Sequence, residues 1–468
     1  MNSPLPLCRR KFLTASAAAA ATLPFLAHGA ETRPSPAGVF AEPALNPPVV
    51  ADADVIICGA GPAGVTAAIT AARAGARVRL FEAHGALGGV WTSSLLGYLL
   101  DFDKPGFNQE LVRHLDARGA RNIPSAAAMS YQPEEMKLIL DELCLEAGVQ
   151  IQLHTRVVAA YREGRRLATI VTESKSGRQA WRAPVFIDAT GDGDLGALAG
   201  CDWETGESKA CPCQPMSMCA LLMVKDHAAL ASFIHRAQGN DVEATKRAFR
   251  AEIIRGGVTP SYAMPTLFPI RDNLLLAMMN HEYGILAFDA AKVTEATLRA
   301  RIELGRIVRG LRQLGGPWAG LQLVATPEQI GVRDGRRIRG RYLVQREDLV
   351  AGARHADAVV RATFPVDIHA YDKTHAGGGY TNTGVKAQPY DIPYRALVAR
   401  DVDSLLMAGR CISGDYIAHA SYRVTGNAVA MGEASGAAAA LAARLKSQPH
   451  ELPWTEIAAV RDRTRRRA

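Results

Sequence analysis

The stretch that decides the fold is Asp54-Val-Ile-Ile-Cys-Gly59-Ala-Gly61-Pro-Ala-Gly64. Its apolar start predicts a buried parallel strand, and the glycines predict a tight turn into an Ala-rich helix. In this spacing Gly59 permits the turn, Gly61 lets backbone N–H groups approach a pyrophosphate, and Gly64 lets the helix pack against the sheet. The N-terminus of such a helix is positive and favours a phosphate. The stretch therefore predicts a dinucleotide site.

A second strand and an acidic side chain complete the predicted βαβ unit. The helix begins at Pro62 and Ala63, and proline suits this first turn because it has no N–H to satisfy there. The apolar run from Val78 to Phe81 predicts the second strand, which ends in Glu82. The carboxylate of Glu82 is predicted to accept hydrogen bonds from the adenosine ribose hydroxyls. This order of elements favours a bound dinucleotide over a glycine-rich turn that binds nothing.

Basic residues followed by an Ala-rich apolar run open the chain. Arg9, Arg10 and Lys11 precede this run, which ends in small residues near Ala30. The pattern predicts a twin-arginine export signal in residues 1–30, with an ordinary secretory signal or a retained anchor as alternatives. The run is too short and too Ala-rich to predict a stable membrane span. We expect a periplasmic or secreted protein that has the twin-arginine export machinery as a partner.

The formal net charge of +8 does not indicate a nucleic-acid partner. The predicted signal contributes +3 and residues 461–468 contribute +4, which leaves about +1 for the rest of the chain. Residues 31–51 are Pro-rich and predict an extended linker. Residues 447–468 are expected to form a basic, solvated tail with a frayed end.

The eight cysteines do not have the paired CxxC spacings of a zinc site, so no metal site is predicted. Cys211 and Cys213 form the one tight cluster. An exported protein can form disulfides. We nevertheless expect these two thiols to be unbridged, because a bridge across a single residue is strained.

A second glycine-rich pattern follows the apolar run Val185–Ile187. Ala189-Thr190-Gly191-Asp-Gly193-Asp-Leu-Gly196 repeats the GxGxxG spacing of the first motif and would allow a second nucleotide site. However, the helix after it is short, and no further strand ends in an acid at the right distance. The favoured interpretation is a strand end whose Ala-Thr-Gly backbone touches the dinucleotide already bound. This argues against a separate nicotinamide site.

Residues 206–395 are predicted to form an inserted domain that covers the dinucleotide site. Within it, Arg333 and Arg336 belong to an Arg-rich run and suit planar, bidentate contact with carboxylates or pyrophosphate. Asp367 and His369 are two residues apart, so on a strand they share a face and Asp367 can orient His369. The insert therefore supplies candidate substrate-binding and proton-transfer groups.

The end of the chain is predicted to return to the dinucleotide-binding domain, which comprises residues 52–205 and 396–446. A strand ends at Gly409, and a helix rich in small residues begins near Gly426. Small residues let that helix lie close to its neighbours, and its positive N-terminus is predicted to face the cofactor.

Several of these stretches together resemble the bacterial FAD-dependent oxidoreductase family, within the glutathione-reductase-like flavoproteins that have two dinucleotide folds. The resemblance implies bound FAD, an FAD domain in separated pieces and an inserted substrate domain. The expected fold class is α/β, with a discontinuous Rossmann-like FAD-binding domain and an inserted α+β substrate domain. The matching stretches are Val55–Gly64, Gly88–Gly89, Asp188–Asp194, Gly331–Gly340, Pro365–His369, Pro389–Leu397 and Leu405–Ala439.

The resemblance also implies roles for residues that the first motif does not include. Val157 is expected to border the adenine. The family's last strand often ends in Gly-Asp, whereas here Arg410 follows Gly409. Either Asp415 or backbone groups together with Arg410 are therefore expected to take over the contact with the ribitol. The loop expected beside the pyrophosphate and ribitol contains Ala83, Gly88, Gly89, Val90 and Trp91.

The sequence thus predicts an exported FAD enzyme that transfers a hydride between flavin and a small organic substrate. A fumarate-reductase-like enoate reductase fed by an external electron donor is one alternative, and a flavin-binding protein without turnover is another. In the first hypothesis the electron acceptor or donor is not identified. The proposed proton acceptors are His369, His419 and Tyr422, and the groups proposed to bind an anionic or polyhydroxyl substrate are Arg333, Arg336 and Arg423.

Overall fold

The computed structural model describes residues 42–50, 53–122, 127–208, 212–235, 241–372, 374 and 379–466. The described part of residues 47–468 forms one compact unit. The predicted signal in residues 1–30, most of the predicted linker and Cys211 lie outside the described residues.

Helices and strands alternate along the chain. The α-helices of the described residues are α1 (Pro62–Arg73), α2 (Phe107–Ala117), α3 (Pro133–Glu146), α4 (Asp194–Leu198), α5 (Val242–Arg255), α6 (Ala290–Gln313), α7 (Arg346–Ala351), α8 (Tyr416–Tyr422), α9 (Thr425–Leu445) and α10 (Trp454–Arg466). The strands are β1 (Val49–Val50), β2 (Val55–Cys58), β3 (Val78–Phe81), β4 (Tyr98–Leu99), β5 (Arg121–Asn122), β6 (Met129–Tyr131), β7 (Gln150–Gln152), β8 (Arg156–Glu163), β9 (Arg166–Ser174), β10 (Gly177–Arg182), β11 (Val185–Asp188), β12 (Trp203–Glu204), β13 (Cys219–Met223), β14 (Thr266–Arg271), β15 (Leu274–Met278), β16 (Gln322–Ala325), β17 (Arg337–Ile338), β18 (Ala358–Ala362), β19 (Ile368–His369), β20 (Tyr380–Thr381), β21 (Tyr390–Pro393) and β22 (Leu405–Met407).

A five-stranded parallel sheet carries the dinucleotide fold. Its strand order is β22-β11-β2-β3-β7, and every neighbouring pair is parallel. All residues of β2 and β11 are buried, as is typical of a parallel sheet that is covered on both faces. The antiparallel strands β8, β9 and β10 pack nearby, where Trp181 lies edge-on to Phe81 with ring centroids 5.0 Å apart.

Close packing between α1 and α9 brings the two ends of the chain together. A Cβ atom added at Gly432 would lie 2.3 Å from the carbonyl oxygen of Ala63, and one at Gly436 would lie 2.4 Å from that of Ala67. Only glycine allows this approach. Together with the pairing of β22 and β11, it confirms the predicted α/β fold with a Rossmann-like domain that the C-terminal segment completes.

The insert has its own antiparallel sheet, with strand order β14-β15-β13-β16, and α5 and α6 contribute to its core. This second hydrophobic core runs from Met216 to Ile330. Ile338 and Tyr390 belong to the first core instead. The two cores therefore give the insert narrower limits than the sequence-based boundary of residues 206–395.

The prediction of a frayed, solvated C-terminal tail is wrong for the described residues. Residues 454–466 form α10, and the guanidinium of Arg465 donates to both carboxylate oxygens of Glu433 in α9. Trp454 stacks on Tyr394 with ring centroids 5.8 Å apart. The arginines of this segment therefore alternate between packed and solvated positions of a helix, which a charge count alone does not reveal.

Candidate active site

The first turn of α1 forms the phosphate end of the site. Gly61 is the N-cap of α1 and no side chain caps the helix there, so its first N–H groups are available to an anion. A Cβ atom added at Gly61 would meet no atom of the described residues within 4 Å, whereas one at Gly64 would lie 1.9 Å from the carbonyl oxygen of Gly59. Open space therefore lies in front of Gly61, while Gly64 allows α1 to pack on the preceding turn.

Glu82 lies at the end of β3 beside this turn and is 6% exposed. One carboxylate oxygen accepts the N–H of Ala60 at 2.7 Å, and the other accepts the N–H of His84 at 2.9 Å. These bonds fix the direction of the carboxylate. Since each carboxylate oxygen has two acceptor sites, capacity for ribose hydroxyls is left.

The predicted Gly-Gly pair packs directly against the phosphate turn. The N–H of Gly88 donates to the carbonyl of Ala60 at 2.8 Å, and a Cβ atom at Gly89 would lie 2.9 Å from Cα of Gly61. Both glycines have positive φ, at 102° and 50°. Val90 is half-buried in the short helix that follows, and Ala83, earlier in the loop, is exposed.

Two other residues that the resemblance places at the cofactor lie in the protein core. Trp91 is fully buried and lies edge-on to Phe102, with ring centroids 6.0 Å apart. Val157 is 7% exposed and pairs with Thr172 in the antiparallel sheet. Their predicted contacts with FAD stay predictions.

The end of β11 touches the first glycine turn, as the interpretation of the second glycine pattern requires. A Cβ atom at Gly59 would lie 2.4 Å from the carbonyl oxygen of Ala189. The hydroxyl of Thr190 donates to the buried carboxylate of Asp188 at 2.7 Å, and Gly191 has a φ of 79°. Ala189, Thr190 and Gly191 therefore form one rim of the same site.

Arg410 connects this rim to the Arg-rich run. Its guanidinium donates to the carbonyl of Gly191 at 2.9 Å, to the carboxylate of Asp192 at 2.5 Å and to the carbonyl of Val332. The neighbouring Gly409 has a φ of 89°, so the turn after β22 favours glycine. The side chain of Arg410 thus holds the rim and the Arg-rich run together through hydrogen bonds.

Asp415 caps α8. One of its carboxylate oxygens accepts the N–H of Ala418 at 2.7 Å, and the other accepts the N–H of Arg346 at 2.7 Å. Its role is therefore that of an N-cap, and neither Asp415 nor Arg410 shows a side-chain arrangement directed at a ribitol.

The N-terminus of α9 has the features expected beside a bound polar group. No side chain caps this 21-residue helix. Asn427 in its first turn is fully buried, and neither its side-chain nitrogen nor its oxygen has a partner among the described residues. A Cβ atom at Gly426 would lie 2.0 Å from the carbonyl oxygen of Asp101, so the helix start is tightly packed there. An unpaired buried amide at a positive helix end fits a cofactor with polar ring edges.

Five buried or half-buried side chains form a second part of the site. We call this set the arginine–histidine cluster, and its members are His281, Arg333, Asp367, His369 and Arg423. Arg333 is 9%, His369 7% and His281 2% exposed. Nε2 of His369 lies 3.2 Å from Oδ2 of Asp367, and an Nη2 atom of Arg423 lies 3.6 Å from the same oxygen. The imidazole rings of His281 and His369 are 5.1 Å apart between centroids.

Both arginines of the cluster donate hydrogen bonds to one short segment, residues 214–217. Nη1 of Arg333 donates to the carbonyl of Pro215 at 2.8 Å and to the hydroxyl of Ser217 at 2.6 Å. Nη2 of Arg423 donates to the side-chain oxygen of Gln214 at 3.0 Å and to the carbonyl of Asp367 at 2.9 Å. Among the described residues, Asp367 is the only carboxylate within 4 Å of either guanidinium, and it lies next to that of Arg423.

Burial and mutual charge shift the pKa values of the cluster. Burial, with the nearby Arg423, lowers the pKa of Arg333 to about 10. Burial also lowers the pKa of His369 to about 4, and the charge of Arg333 adds to this. Although burial alone would raise it, His369, Arg423 and Arg333 together hold the pKa of Asp367 well below its usual range. At neutral pH the cluster therefore contains two cations, one carboxylate and neutral imidazoles.

Hydrogen-bonding capacity is left over in this cluster. Among the described residues, four buried polar atoms here have no partner: Nε2 of Gln214, Nε2 of His281, Nδ1 of His369 and Nε of Arg423. Buried polar atoms are paired in the great majority of cases, so their concentration at one place indicates a ligand site.

Residues 54–463 match the protein family described as FAD dependent oxidoreductase. The chain belongs to this family. It is therefore an enzyme, its cofactor is FAD, and the Gly61 turn, Glu82 and the N-terminus of α9 are the parts of the structure that fit this cofactor.

The solved structures that are similar to this chain share little sequence identity with it. A geranylgeranyl bacteriochlorophyll reductase-like protein from Thermoplasma acidophilum is 13% identical, with 90% of this chain and 84% of the other covered and a TM-score of 0.44. The flavin-dependent brominase Bmp2 is 13% identical over 89% of this chain and 84% of its own, with a TM-score of 0.45. The flavin-dependent halogenase CmlS is 14% identical, with 89% of this chain and 62% of the halogenase covered and a TM-score of 0.45. No curated protein matches the chain.

The structure separates the predicted catalytic residues into two groups. Arg333, Arg423 and His369 meet in the arginine–histidine cluster. Arg336 instead donates to the carboxylate of Asp194 at 2.9 Å and lies over the ring of Phe288, 4.3 Å from its centroid. These contacts place Arg336 in a structural ion pair of the oxidoreductase.

The other two predicted proton acceptors are also in the core. Tyr422 is fully buried, its hydroxyl donates to the carbonyl of Ile412 at 3.0 Å, and burial raises its pKa well above the usual value. His419 is fully buried, and burial with nearby arginines lowers its pKa well below the usual value. Both ring nitrogens of His419 are buried without a partner among the described residues, and its carbonyl accepts the N–H of Arg423 at 3.2 Å. A catalytic role for His419 or Tyr422 stays a prediction.

Sequence reasoning missed His281 and Tyr262. The ring of Tyr262 lies 4.0 Å from that of His281 and 5.8 Å from that of His369, between centroids. The available signal was the polar run Asn280-His281-Glu282-Tyr283 directly after the buried strand β15. Polar residues at the end of a buried strand are candidate site residues.

Cys213 is disulfide-bonded, and its partner lies outside the described residues. The expectation that this thiol is unbridged is therefore wrong, because it weighed only the strain of a short bridge. In the described ranges, no group of three or more His, Cys, Asp or Glu side chains could hold a metal ion. Within the same ranges, every helix is too short or too polar to cross a membrane.

Proposed function

We propose that this enzyme is an exported FAD-dependent oxidoreductase that transfers a hydride between flavin N5 and a small anionic substrate. The proposal places the substrate at the arginine–histidine cluster and assigns the FAD domain to the glutathione-reductase-like type. The observation that carries it is the set of buried donors and acceptors on Gln214, His281, His369 and Arg423 that have no partner among the described residues.

The charge balance of the cluster favours an anion. Arg333 is buried and the side chain of Arg423 is 12% exposed, and Asp367 is the carboxylate that neutralises them in part. A buried charge without a counter-charge is costly, so an anionic ligand would be stabilised there. Guanidinium groups suit a carboxylate because they can donate two parallel hydrogen bonds.

The proton in this reaction is assigned to His369. Asp367 accepts from Nε2, which leaves Nδ1 as an unprotonated acceptor without a partner in the described structure. FAD, when bound, accepts or donates the hydride. His369 takes or returns the accompanying proton at Nδ1, while the two arginines hold the anionic group in place.

Anaerobic titration of the purified holoenzyme tests this function. Hydroxy acids, amines and neutral sugars are added to the oxidised enzyme, and loss of the oxidised-flavin absorbance is recorded. We expect bleaching by an anionic compound and a large loss in Arg333→Gln. The matched variant Arg361→Gln, whose side chain pairs with Asp391 instead, should behave like the wild type.

The enoate reductase remains the second candidate because two guanidinium groups would also suit a dicarboxylate. In that case no donor compound bleaches the oxidised flavin, and an enoate reoxidises the chemically reduced enzyme. That result would reverse the direction of electron flow that we propose and leave the anion site in place.

Export is proposed from the sequence of residues 1–30. Replacement of Arg9 and Arg10 by lysine should retain the protein in the cytoplasm if the twin-arginine machinery carries it. Unchanged export of that variant would support an ordinary secretory signal. The electron partner of the enzyme stays open in this proposal.

A further inference from the structure

We propose that the substrate is a carboxylate with hydroxyl groups on the two neighbouring carbons, as in a sugar acid, and that His281 binds the hydroxyl that does not react. This inference rests on the proposed function, since it names the substrate class of the same site. It is based on the contacts of Asp367 with His369 and Arg423, on the tautomers of His369 and His281, and on the N–H groups of the two arginines that remain available to a ligand.

The first step is the position of the carboxylate. Within the described residues, Nη1 of Arg333 donates only to the neutral oxygens of Pro215 and Ser217, and Nε of Arg423 is buried without a partner. Both guanidinium groups therefore have donors left for an anion. A planar carboxylate uses such donors more fully than a single hydroxyl does.

The second step is the distance between the anion site and the base. Oδ2 of Asp367 lies 3.6 Å from Nη2 of Arg423 and 3.2 Å from Nε2 of His369. The cation and the base thus flank one carboxylate oxygen. A substrate that reaches both must carry its reacting hydroxyl close to its carboxylate, which favours the adjacent carbon.

The third step is the tautomer of His281. The hydroxyl of Tyr283 donates to the carbonyl of Ser261 at 2.7 Å, so toward Nδ1 of His281, 3.4 Å away, it can only accept. Nδ1 therefore carries the proton, and the buried Nε2 is an acceptor without a partner in the described part of the chain.

Two acceptor nitrogens thus belong to neighbouring rings, Nδ1 to His369 and Nε2 to His281, and the ring centroids are 5.1 Å apart. One hydroxyl has one proton and satisfies only one of them. A second hydroxyl on the next carbon supplies the other proton. An ammonium group would also supply two protons, but the excess positive charge of the two arginines disfavours it.

The reaction that follows is balanced by FAD alone. The C2–H bond breaks and its hydrogen leaves with both electrons as a hydride, for which FAD is the acceptor. The proton of the C2 hydroxyl goes to Nδ1 of His369, and a carbonyl forms at C2. The products are a 3-hydroxy-2-oxo acid, reduced FAD and protonated His369.

Single-turnover reduction under anaerobic conditions tests the substrate class with four compounds: glycerate, lactate, 3-hydroxypropionate and glyceramide. We expect glycerate to bleach the flavin with a dissociation constant about tenfold or more below that of lactate, since one hydrogen bond to a buried acceptor is added. Glyceramide lacks the negative charge and 3-hydroxypropionate lacks the reacting hydroxyl, so neither should bleach the flavin at the same concentration.

The role of His281 is tested by the ratio of the two dissociation constants. In His281→Phe the advantage of glycerate over lactate should disappear, so that the two dissociation constants become equal. Tyr283→Phe removes the acceptor that fixes the tautomer and should reduce the same ratio, which keeps the test available if the first variant does not fold. His355→Phe is the matched control, because His355 packs on Tyr342 with ring centroids 4.9 Å apart and does not contact the cluster.

The outcomes separate this inference from the proposed function. If a hydroxy acid without the second hydroxyl bleaches the flavin better than glycerate, the substrate class is wrong and the proposed function stands. If amines, neutral sugars or simple alcohols do so, the anionic substrate of the proposed function is wrong as well. If the wild type binds glycerate and lactate equally well, the assignment of His281 is wrong. If no donor of any class bleaches the flavin, the proposed function fails and this inference fails with it.

Discussion

Nε2 of His369 lies 3.2 Å from Oδ2 of Asp367 in the substrate part of the site. An ionised carboxylate only accepts hydrogen bonds, so this contact places the imidazole proton on Nε2. Nδ1 is then the basic atom, and it is buried without a partner among the described residues. The pair is thus arranged as an oriented base, in which one carboxylate sets the tautomer of the ring.

Loss of either member of this pair should slow flavin reduction more than it affects FAD binding. For His369→Gln we expect a decrease in the rate of bleaching of roughly 100-fold or more, in the range of general base catalysis. Asp367→Asn should also slow the reaction, because an amide can donate to Nε2 and favour the wrong tautomer.

Rapid mixing under anaerobic conditions gives the bleaching rate, and the visible spectrum of the purified variants gives the FAD content. His355→Gln is the control for a general effect of removing an imidazole. Wild-type rates in both cluster variants would show that another group takes the proton.

The glycines of the first turn should respond to alanine in opposite ways. Gly61→Ala places a methyl group where no atom of the described residues lies within 4 Å, and its φ of −67° suits alanine. We expect nearly unchanged stability of the FAD-free protein but about tenfold or more weaker FAD binding, since the methyl group occupies the pyrophosphate approach. Fluorescence titration of the apoprotein with FAD measures this.

Gly64→Ala should instead destabilise the FAD-free protein. Its Cβ atom would lie 1.9 Å from the carbonyl oxygen of Gly59, so the turn or α1 must move. Overpacking of this kind costs roughly 1–3 kcal/mol and occasionally more. Urea unfolding of the two apoproteins provides the comparison, and equal stability of both variants would contradict the packing role assigned to Gly64.

Asn427 should trade stability for cofactor affinity. Its buried amide has no partner in the described structure, and an unsatisfied buried group costs about 1–3 kcal/mol. Asn427→Leu should therefore leave the FAD-free protein equally or more stable and weaken FAD binding. Asn108→Leu is the contrasting variant, since Asn108 donates to the carbonyl of Gly426 at 3.2 Å and its loss should lower stability. Unchanged FAD affinity in Asn427→Leu would remove this residue from the cofactor site.

The parts of the fold that local patterns determine could be predicted from the sequence. The predicted helix start at Pro62 is the first residue of the observed α1, and the predicted return of the C-terminal strand is observed as the pairing of β22 with β11. Apolar runs and glycine spacing act locally and are therefore visible in the chain. Contacts between distant segments are not, which is why α10 was interpreted as a frayed tail.

The candidate site was predictable only in part, for the same reason. Arg333 and His369 were found because each lies in a dense local motif. Arg336 belongs to the same Arg-rich run as Arg333, yet it forms an ion pair with Asp194, which lies 142 residues away in sequence. The guanidinium of Arg336 is therefore already paired with a carboxylate. His281 was missed because its function depends on a ring 88 residues further along the chain, which no local pattern reveals.

The C-terminal helix should contribute to stability through one buried ion pair. Nε of Arg465 donates to Oε1 of Glu433 at 2.8 Å, and the side chain of Glu433 is 3% exposed. Arg465→Met would leave this carboxylate without its counter-charge, which should cost about 3 kcal/mol in the free energy of unfolding. Arg463→Met removes an exposed arginine of the same helix and should change stability by less than about 0.5 kcal/mol. Equal urea midpoints for the two variants would show that the ion pair between Arg465 and Glu433 does not contribute to stability.

The pH dependence of stability should reveal the neutral state of His369. Burial lowers its pKa to about 4 in the folded protein, below the ordinary value of 6.5. Between these values the unfolded chain binds a proton that the folded protein does not, so stability falls as pH decreases from about 6.5 to about 4. Asp188 acts in the opposite direction, because burial raises its pKa to about 6 and the folded protein then binds the extra proton. The difference between wild type and His369→Asn isolates the first effect.

Activity should depend on pH through the same group. The base must be neutral, so kcat/KM for flavin reduction should rise with pH through about 4 and then level off, because it reports the free enzyme. A bound anion favours the protonated imidazole, so the corresponding limb of kcat should lie at higher pH. Unfolding measurements from pH 3 to pH 8 and stopped-flow reduction over the same range provide both profiles. A kcat/KM limb near the ordinary histidine value, with no difference in stability between wild type and His369→Asn, would show that His369 is solvated and not the buried base assigned here.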